Sequence, residues 1–407
     1  ALGGLAVPWC ALASSPEWLY FSVLIHDCIP CLVCCLFQLP FSTMASLNGV
    51  HMFCNSHGCE LKNVFTEDTT VVWKTLEDSI TLIAVGVCTQ ESVLNELLDF
   101  AFGALVMIVG LEEIRMHRSA ERLKRDLRIS YPVLDRLMEC IDLGNQSLSS
   151  SDILSLVPVV FTPENSLLLN CLEVWTEVIN SQFGCVVVEN SIAAATSAWW
   201  ELDAHERKLL QLLIMSSGGV TATDIPVFLP QKSPTVPFRL VSCMLVSGVW
   251  VSALCGPAPS LSQIERLTAE CWKHVTEVLK SVSSIVPRNF PQFLLINIPL
   301  SKYVMSNTVS NNKKESRSNC DVLRTFFYES ATSLTKTFFV NFPLISQETY
   351  WCSEYHKIYA MRIEDEIMCV LFSSNIPTPT MRLAFFFSFI TLVTSFFVDA
   401  RPWKHKK

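Results

Sequence analysis

The sequence predicts an α+β protein built from three tandem domains, each a mainly antiparallel sheet flanked by helices. Three observations predict it. The order strand, strand, helix, three strands, helix can be read twice and begins again beyond Pro287. The recurrence, roughly every 130–140 residues, is the length of a compact domain. The strands are β-branched runs joined by tight turns, as in antiparallel sheets rather than doubly wound ones. With the polar break GNQSLSSSD (Gly144–Asp152), the divisions fall at 1–143, 153–285 and 286–407.

In the first domain QLPFSTMASLNGVHMF (Gln38–Phe53) reads as a short amphipathic helix with Pro40 in its opening turn. Strands follow at Cys59–Phe65, Thr69–Thr75 and Ser79–Val85, the last two forming a hairpin across Leu76-Glu77-Asp78. Thr89 or Ser92 is expected to cap a helix running to about Arg115. Its stripe of Leu94, Leu97, Leu98, Ala101, Leu105 and Ile108 has helical spacing. Ser119–Met138 is a charged helix in which Glu121 and Arg125 stand four apart. The second domain reads as helix Pro163–Asn180, hairpin Phe183–Glu189 and Ser191–Ser197, and helix His205–Met215. Strands Ile225–Leu229, Arg239–Val246 and Val249–Cys255 come next, then a helix from Ser260 or Ser262 to about Val282. Pro226, Pro234 and Pro237 suit a guarded sheet edge. The third domain holds strands Phe293–Ile298 and Lys302–Asn307, helix Asp321–Phe339 and strand Tyr355–Ile363.

Composition narrows function. The 407 residues include only 13 Gly, and the net charge of −8 disfavours nucleic acid. The chain has no G-x-x-x-x-G-K-[ST], G-x-G-x-x-G, G-x-S-x-G or H-E-x-x-H. Seventeen Cys, an odd number at scattered spacing, read as reduced buried thiols. The eight His have no Ser or Cys elbow beside them and read as surface or core residues. Two stretches keep a cysteine-ligated metal or redox reading open. Cys28, Cys31, Cys34 and Cys35 resemble a cluster-binding run, and Cys54, His57 and Cys59 supply three zinc-type ligands. Leu383–Val398 has sixteen uncharged residues with six Phe, followed by Arg401, Lys404, Lys406 and Lys407. A tail anchor is the alternative this stretch raises, although a span needs about 20 apolar residues.

Several segments resemble the Fuzzy family of planar cell polarity effectors. They are LPFSTMASLNGVHMF (Leu39–Phe53), TTVVWKTLEDSITLI (Thr69–Ile83), FGALVMIVGLEEI (Phe102–Ile114) and ERLKRDLR (Glu121–Arg128). AAATSAWWEL (Ala193–Leu202), VFLPQKSPTVPFRL (Val227–Leu240) and CGPAPSLSQ (Cys255–Gln263) continue the series. The resemblance is collinear over Leu39–Gln263 and thins over 286–360, where FLLINIPL and DVLRTFFYES fit in order. It departs at about 16–38 and after about 370, with CALASS (Cys10–Ser15) as the candidate remnant of the family's first strand.

The resemblance implies three longin domains, each with a five-stranded sheet. It also implies pairing with an Inturned-like longin protein and a Fritz-like propeller protein in ciliogenesis and planar polarity. The longin pair would act as an exchange factor on a Rab-family GTPase, in membrane trafficking at the cytoplasmic and cytoskeletal basal body of the cilium. Exchange needs no nucleophile, metal or cofactor, because a surface that prefers the nucleotide-poor GTPase shifts the equilibrium by itself. Peripheral membrane contact is a further expectation. The family's platform role falls on helix Pro40–Phe53. There Met44, Leu47 and Met52 are expected on the sheet, with Ser42, Ser46, Asn48 and His51 turned to the partner. The charged stretch Glu112–Arg128 is the second candidate surface, through Glu112, Glu113, Arg118, Arg122 and Arg125. Trp73, Phe102 and Trp199 are expected in the core.

Overall fold

The computed structural model describes residues 19–25, 41–77, 80–87, 89–116, 119–140, 153–162, 164–216, 220–280, 292–306, 320, 322–327, 348–363 and 365–396. The chain divides into two units, Ala1–Leu148 with Phe228–Thr235, and Ser149–Val227 with Val236–Lys407.

The first unit runs β1 (Leu19–Ile25), α1 (Phe41–Ser56), β2 (Asn63–Phe65), β3 (Thr69–Leu76), β4 (Ile80–Val87) and α2 (Glu91–Val109). The short helices α3 (Leu111–Arg115), α4 (Ala120–Leu127) and α5 (Tyr131–Glu139) follow. The expected hairpin forms, pairing Thr69 with Val87 through to Leu76 with Ile80, and Glu77 turns it at a φ of 54°. The sheet order is β1-β4-β3-β2. The first strand lies at Leu19–Ile25, inside the stretch that departs from the family, while Cys10–Ser15 lies outside the described residues.

α2 is apolar nearly all round because it is covered on several sides. β3 and β4 lie under one side, with α4 and α5 against others. Among the described residues it is the one helix long and apolar enough to cross a membrane, yet Leu94, Leu97, Leu98, Phe100, Ala101 and Leu105 are fully buried. Two expected boundaries are corrected. The helix is capped by Gln90 rather than Thr89 or Ser92, and it ends at Gly110 rather than Arg115. Gly110 adopts a φ of 90°, which only glycine holds cheaply, so the chain breaks and restarts as α3. Ser119–Met138 is likewise two helices, joined by the tighter turn Arg128–Ser130. The Ser119 hydroxyl caps the first, accepting the Arg122 amide at 3.3 Å.

The second unit begins with β5 (Val157–Pro158), α6 (Asn165–Val178), β6 (Phe183–Val188), β7 (Ser191–Ala195), α7 (Ser197–Trp200) and α8 (Ala204–Ser216). It continues through β8 (Ala222–Leu229) and β9 (Ser233–Val246), apart from their adjoining ends Phe228–Thr235 that are counted with the first unit, and then β10 (Val249–Cys255), α9 (Leu261–Trp272) and α10 (Thr276–Lys280). β11 (Gln292–Asn297), β12 (Lys302–Met305), β13 (Glu348–Cys352), β14 (His356–Ile363), β15 (Glu366–Ser373) and α11 (Thr378–Phe396) complete it. Ser260 opens α9 with a reciprocal capping box to Gln263.

The strand orders expose the repeat. One sheet runs β7-β6-β10-β9-β8 and the other β12-β11-β15-β14-β13, the same path taken twice, and the first unit follows it as β1-β4-β3-β2. The expected five strands hold for the second sheet. The first has four described strands, and the third has six because β5 joins outside β12. β5 pairs in parallel with Lys302 and Tyr303, and the next residue, Val159, bridges Ile192 of β7. These residues thus hydrogen-bond to both sheets of this unit. β8, which carries exposed Pro226, is an edge strand as expected.

Candidate partner surface

α1 buries less than its apolar content suggests. Leu47 and His51, four residues apart, face inward. Met52 and Phe53 are 62% and 65% exposed. Met52 was expected on the sheet and His51 on the outer face; both are corrected. Five residues of α-helix turn about 140° beyond a full circle, so Met52 cannot share a face with Leu47. His51 Nε2 lies 3.4 Å from the Asn55 side-chain amide, which gives the buried ring a polar neighbour. Ser42 and Ser46 are exposed, and Asn48 is half-buried. Ser46 Oγ donates to the Ser42 carbonyl at 2.9 Å. The Met44 side chain lies outside the described residues. The outer face therefore combines short polar groups with Val50, Met52 and Phe53.

The second candidate surface is an ion-pair web. Arg122 Nε stands 3.6 Å from Glu113 and 3.7 Å from Asp126, and Arg125 Nε is 3.8 Å from Asp126. Arg125 therefore leans to Asp126 rather than to Glu121. Glu112, Glu113, Arg122 and Asp126 line a cleft of about 400 Å³ with Ile108 and Ile129. Arg118 lies outside the described residues. Exposed pairs of this kind add little stability and leave the charges free to meet a partner.

Two features of the second unit were not anticipated. A cleft of about 740 Å³ opens beside α6, lined by Glu173, Val174, Glu177, Thr196 and Glu201. Beneath the surface, Trp200 is flanked by cations. Lys302 Nζ lies 3.3 Å from the ring centroid and the Arg207 guanidinium 5.6 Å from it. Burial, and then the Arg207 charge, pull the Lys302 pKa down to about 6, and burial also lowers Arg207. A neutral amine still points an N–H at the ring, so the contact survives deprotonation. No pattern in the sequence marks this group, because its members come from different elements.

The buried thiols pack rather than react. Burial raises Cys255 to about 11 and Cys369 to about 12. Cys54 is half-buried and Cys59 exposed, and His57 Nδ1 contacts the Phe53 carbonyl at 2.9 Å. Among the described residues no three His, Cys, Asp or Glu side chains gather as a metal site, so Cys54, His57 and Cys59 do not form one. Cys28–Cys35 lies outside the described residues. Trp73 and Trp199 are buried as expected, whereas Phe102 is only half-buried. Along these surfaces the available chemistry is recognition by shape, charge and apolar contact.

Comparison with known proteins agrees with the repeated sheet order. Three family models match in sequence. They are the first longin domain of FUZ, MON1 and HPS1 over residues 35–137, the second over 179–273 and the third over 291–385. A protein fuzzy homolog from Xenopus tropicalis is 34% identical over 383 residues, covering 85% of this chain and 90% of its own length. Protein fuzzy homologs from Rattus norvegicus and Homo sapiens are each 38% identical, over 310 and 309 residues. Both cover 73% of this chain, with 73% and 72% of their own lengths matched. With three longin domains in one order and this identity over most of its length, the chain belongs to the Fuzzy family.

Proposed function

We propose that this chain is the Fuzzy-type subunit of a ciliogenesis and planar cell polarity effector complex. It pairs with an Inturned-like longin protein, and a Fritz-like propeller protein completes the assembly at the basal body. The pair exchanges guanine nucleotide on a Rab-family GTPase in support of cilium assembly and membrane trafficking. The observation that carries this reading is the run of three longin matches, in order, within one chain. α1 is the contact surface in this reading, through Ser42, Ser46 and the partly exposed Asn48, joined by Met52 and Phe53 in place of His51. The charged cleft around Glu112, Glu113 and Arg122 is the second surface.

Release of a fluorescent nucleotide from the GTPase tests it. The chain alone should leave release unchanged, and the chain with its longin partner should accelerate it. Ser46→Glu with Asn48→Glu should weaken GTPase binding by about 2–5 kcal/mol while the melting temperature holds. Full activity of the isolated chain refutes the pairing. Unchanged exchange by the double variant moves the contact from α1 to the charged cleft.

A further inference from the structure

α6 carries two apolar stripes. Leu168, Leu172 and Trp175 are fully buried and hold the helix on β6, β7 and α9. Leu167, Val174 and Val178 lie on another side and are 39%, 54% and 48% exposed. Along an α-helix these three positions fall within about 40° of one another, so they form one stripe facing water. Holding the sheet needs only the first stripe. The second leaves three branched apolar groups hydrated, side by side.

Charge says what covers it. Glu173 and Glu177 stand beside the stripe, on the flank turned away from the core, and with Glu201 they line the cleft of about 740 Å³. All three are exposed, no Lys or Arg lines the cleft, and among the described residues none pairs with them. The surroundings share the sign. From Ile153 to Glu206 the chain holds seven Asp and Glu and no Lys or Arg, a charge of −7 against −8 for all 407 residues. Such a face attracts a cationic partner and repels an anionic bilayer. It also repels a second copy of itself, which would set like charges against like.

We propose that this face docks a basic amphipathic helix from a protein partner. The apolar side of that helix covers Leu167, Val174 and Val178, and its Lys and Arg reach Glu173, Glu177 and Glu201. A helix suits the stripe because both then rise about 1.5 Å per residue, so side chains interdigitate along the whole contact. The stripe supplies apolar area, and the acids beside it select the partner. This inference is independent of the exchange reading.

Fluorescence anisotropy of a labelled Leu/Lys peptide, amphipathic at the helical period, titrated with the full chain tests it. A Leu/Glu peptide of the same pattern is the charge control. Binding of the basic peptide alone, weakened by salt, is the expected result. Glu173→Gln with Glu177→Gln should weaken it by about fivefold. Val174→Ser with Val178→Ser should also weaken it by about fivefold. Glu67→Gln with Asp68→Asn removes the same charge from an exposed site on the first unit and should change binding by less than about twofold. If the serine variant melts early, the glutamine variant, whose two side chains are exposed, decides alone. Equal losses in the glutamine variant and the distant control, or no loss in the glutamine variant, overturn the proposal. So does equal binding of the two peptides, or no binding of the basic one. A serine variant that changes from dimer to monomer while peptide binding stays the same overturns it in favour of self-association. Phosphatidylserine vesicle binding that the serine variant loses overturns it in favour of a membrane.

Discussion

α1 and α8 occupy the same place in their domains, between the opening strand or strands and the three-strand meander, and they meet opposite environments. α8 is buried over nine consecutive residues, Glu206 to Ile214, including the charged Glu206, Arg207 and Lys208. It lies against β5, which itself pairs with β12. α1, with sixteen residues, buries Leu47 and His51 among its described side chains and leaves Val50, Met52 and Phe53 exposed. The same topological position therefore becomes an interior joint in one domain and an open face in the other. A helix in this position is available to a partner only where no neighbouring domain has taken it.

The comparison can be broken at several levels. The largest effect belongs beside α8: Trp199→Ala, at a fully buried position, should cost about 3–5 kcal/mol in denaturant unfolding. Leu210→Ala on α8 should fall near the upper part of the roughly 2–5 kcal/mol range for such truncations, and Leu47→Ala on α1 near the lower part. Equal losses would show that α1 is held as firmly as α8.

Lys302 sharpens the joint through pH. Its folded pKa of about 6 lies below the ordinary 10.5, so between these values the unfolded chain binds more protons. Stability should then rise with pH through that window. Lys302→Met removes this dependence. The variant should melt above the parent at pH 7, with the gap closing toward pH 10. A parent curve as flat as the variant's would show that the amine stays protonated in the folded chain.

The smallest stability effect is expected on α1. Ser46→Glu with Asn48→Glu should change unfolding free energy by no more than about 0.5 kcal/mol per site, since Ser46 is exposed and Asn48 only half-buried. A larger loss would place α1 in the core.

Much of the fold was legible where one element reports on itself. TTVVWKT and SITLIAV announced the hairpin by β-branched composition, and Ser260, one of two serines offered as the start, announced a helix by capping chemistry. β15 was missed because EIMCVLFS lies between β11 and β14, buried on both faces, so it shows no alternation. β5 was missed because two residues carry no period at all. On α1 the outward serines were legible, but the positions of His51 and Met52 required the helix to be placed on its sheet. Gly184 shows the same limit. An added Cβ there would stand 2.4 Å from Thr176 Cγ2, so α6 sits tightly on β6, a fact of approach that no local pattern carries.

The sequence by itself determined the three-fold recurrence, the antiparallel class and the family, because hydrophobic period, turn chemistry and motif order are properties of neighbouring residues. The tertiary structure alone decided which helix is covered and which is open. It brought Trp200, Arg207 and Lys302 together from elements as much as a hundred residues apart and let β5 join a sheet beyond its own domain. Burial depends on what the rest of the chain lays over a residue, and that is set by long-range packing rather than by the residue's own neighbours.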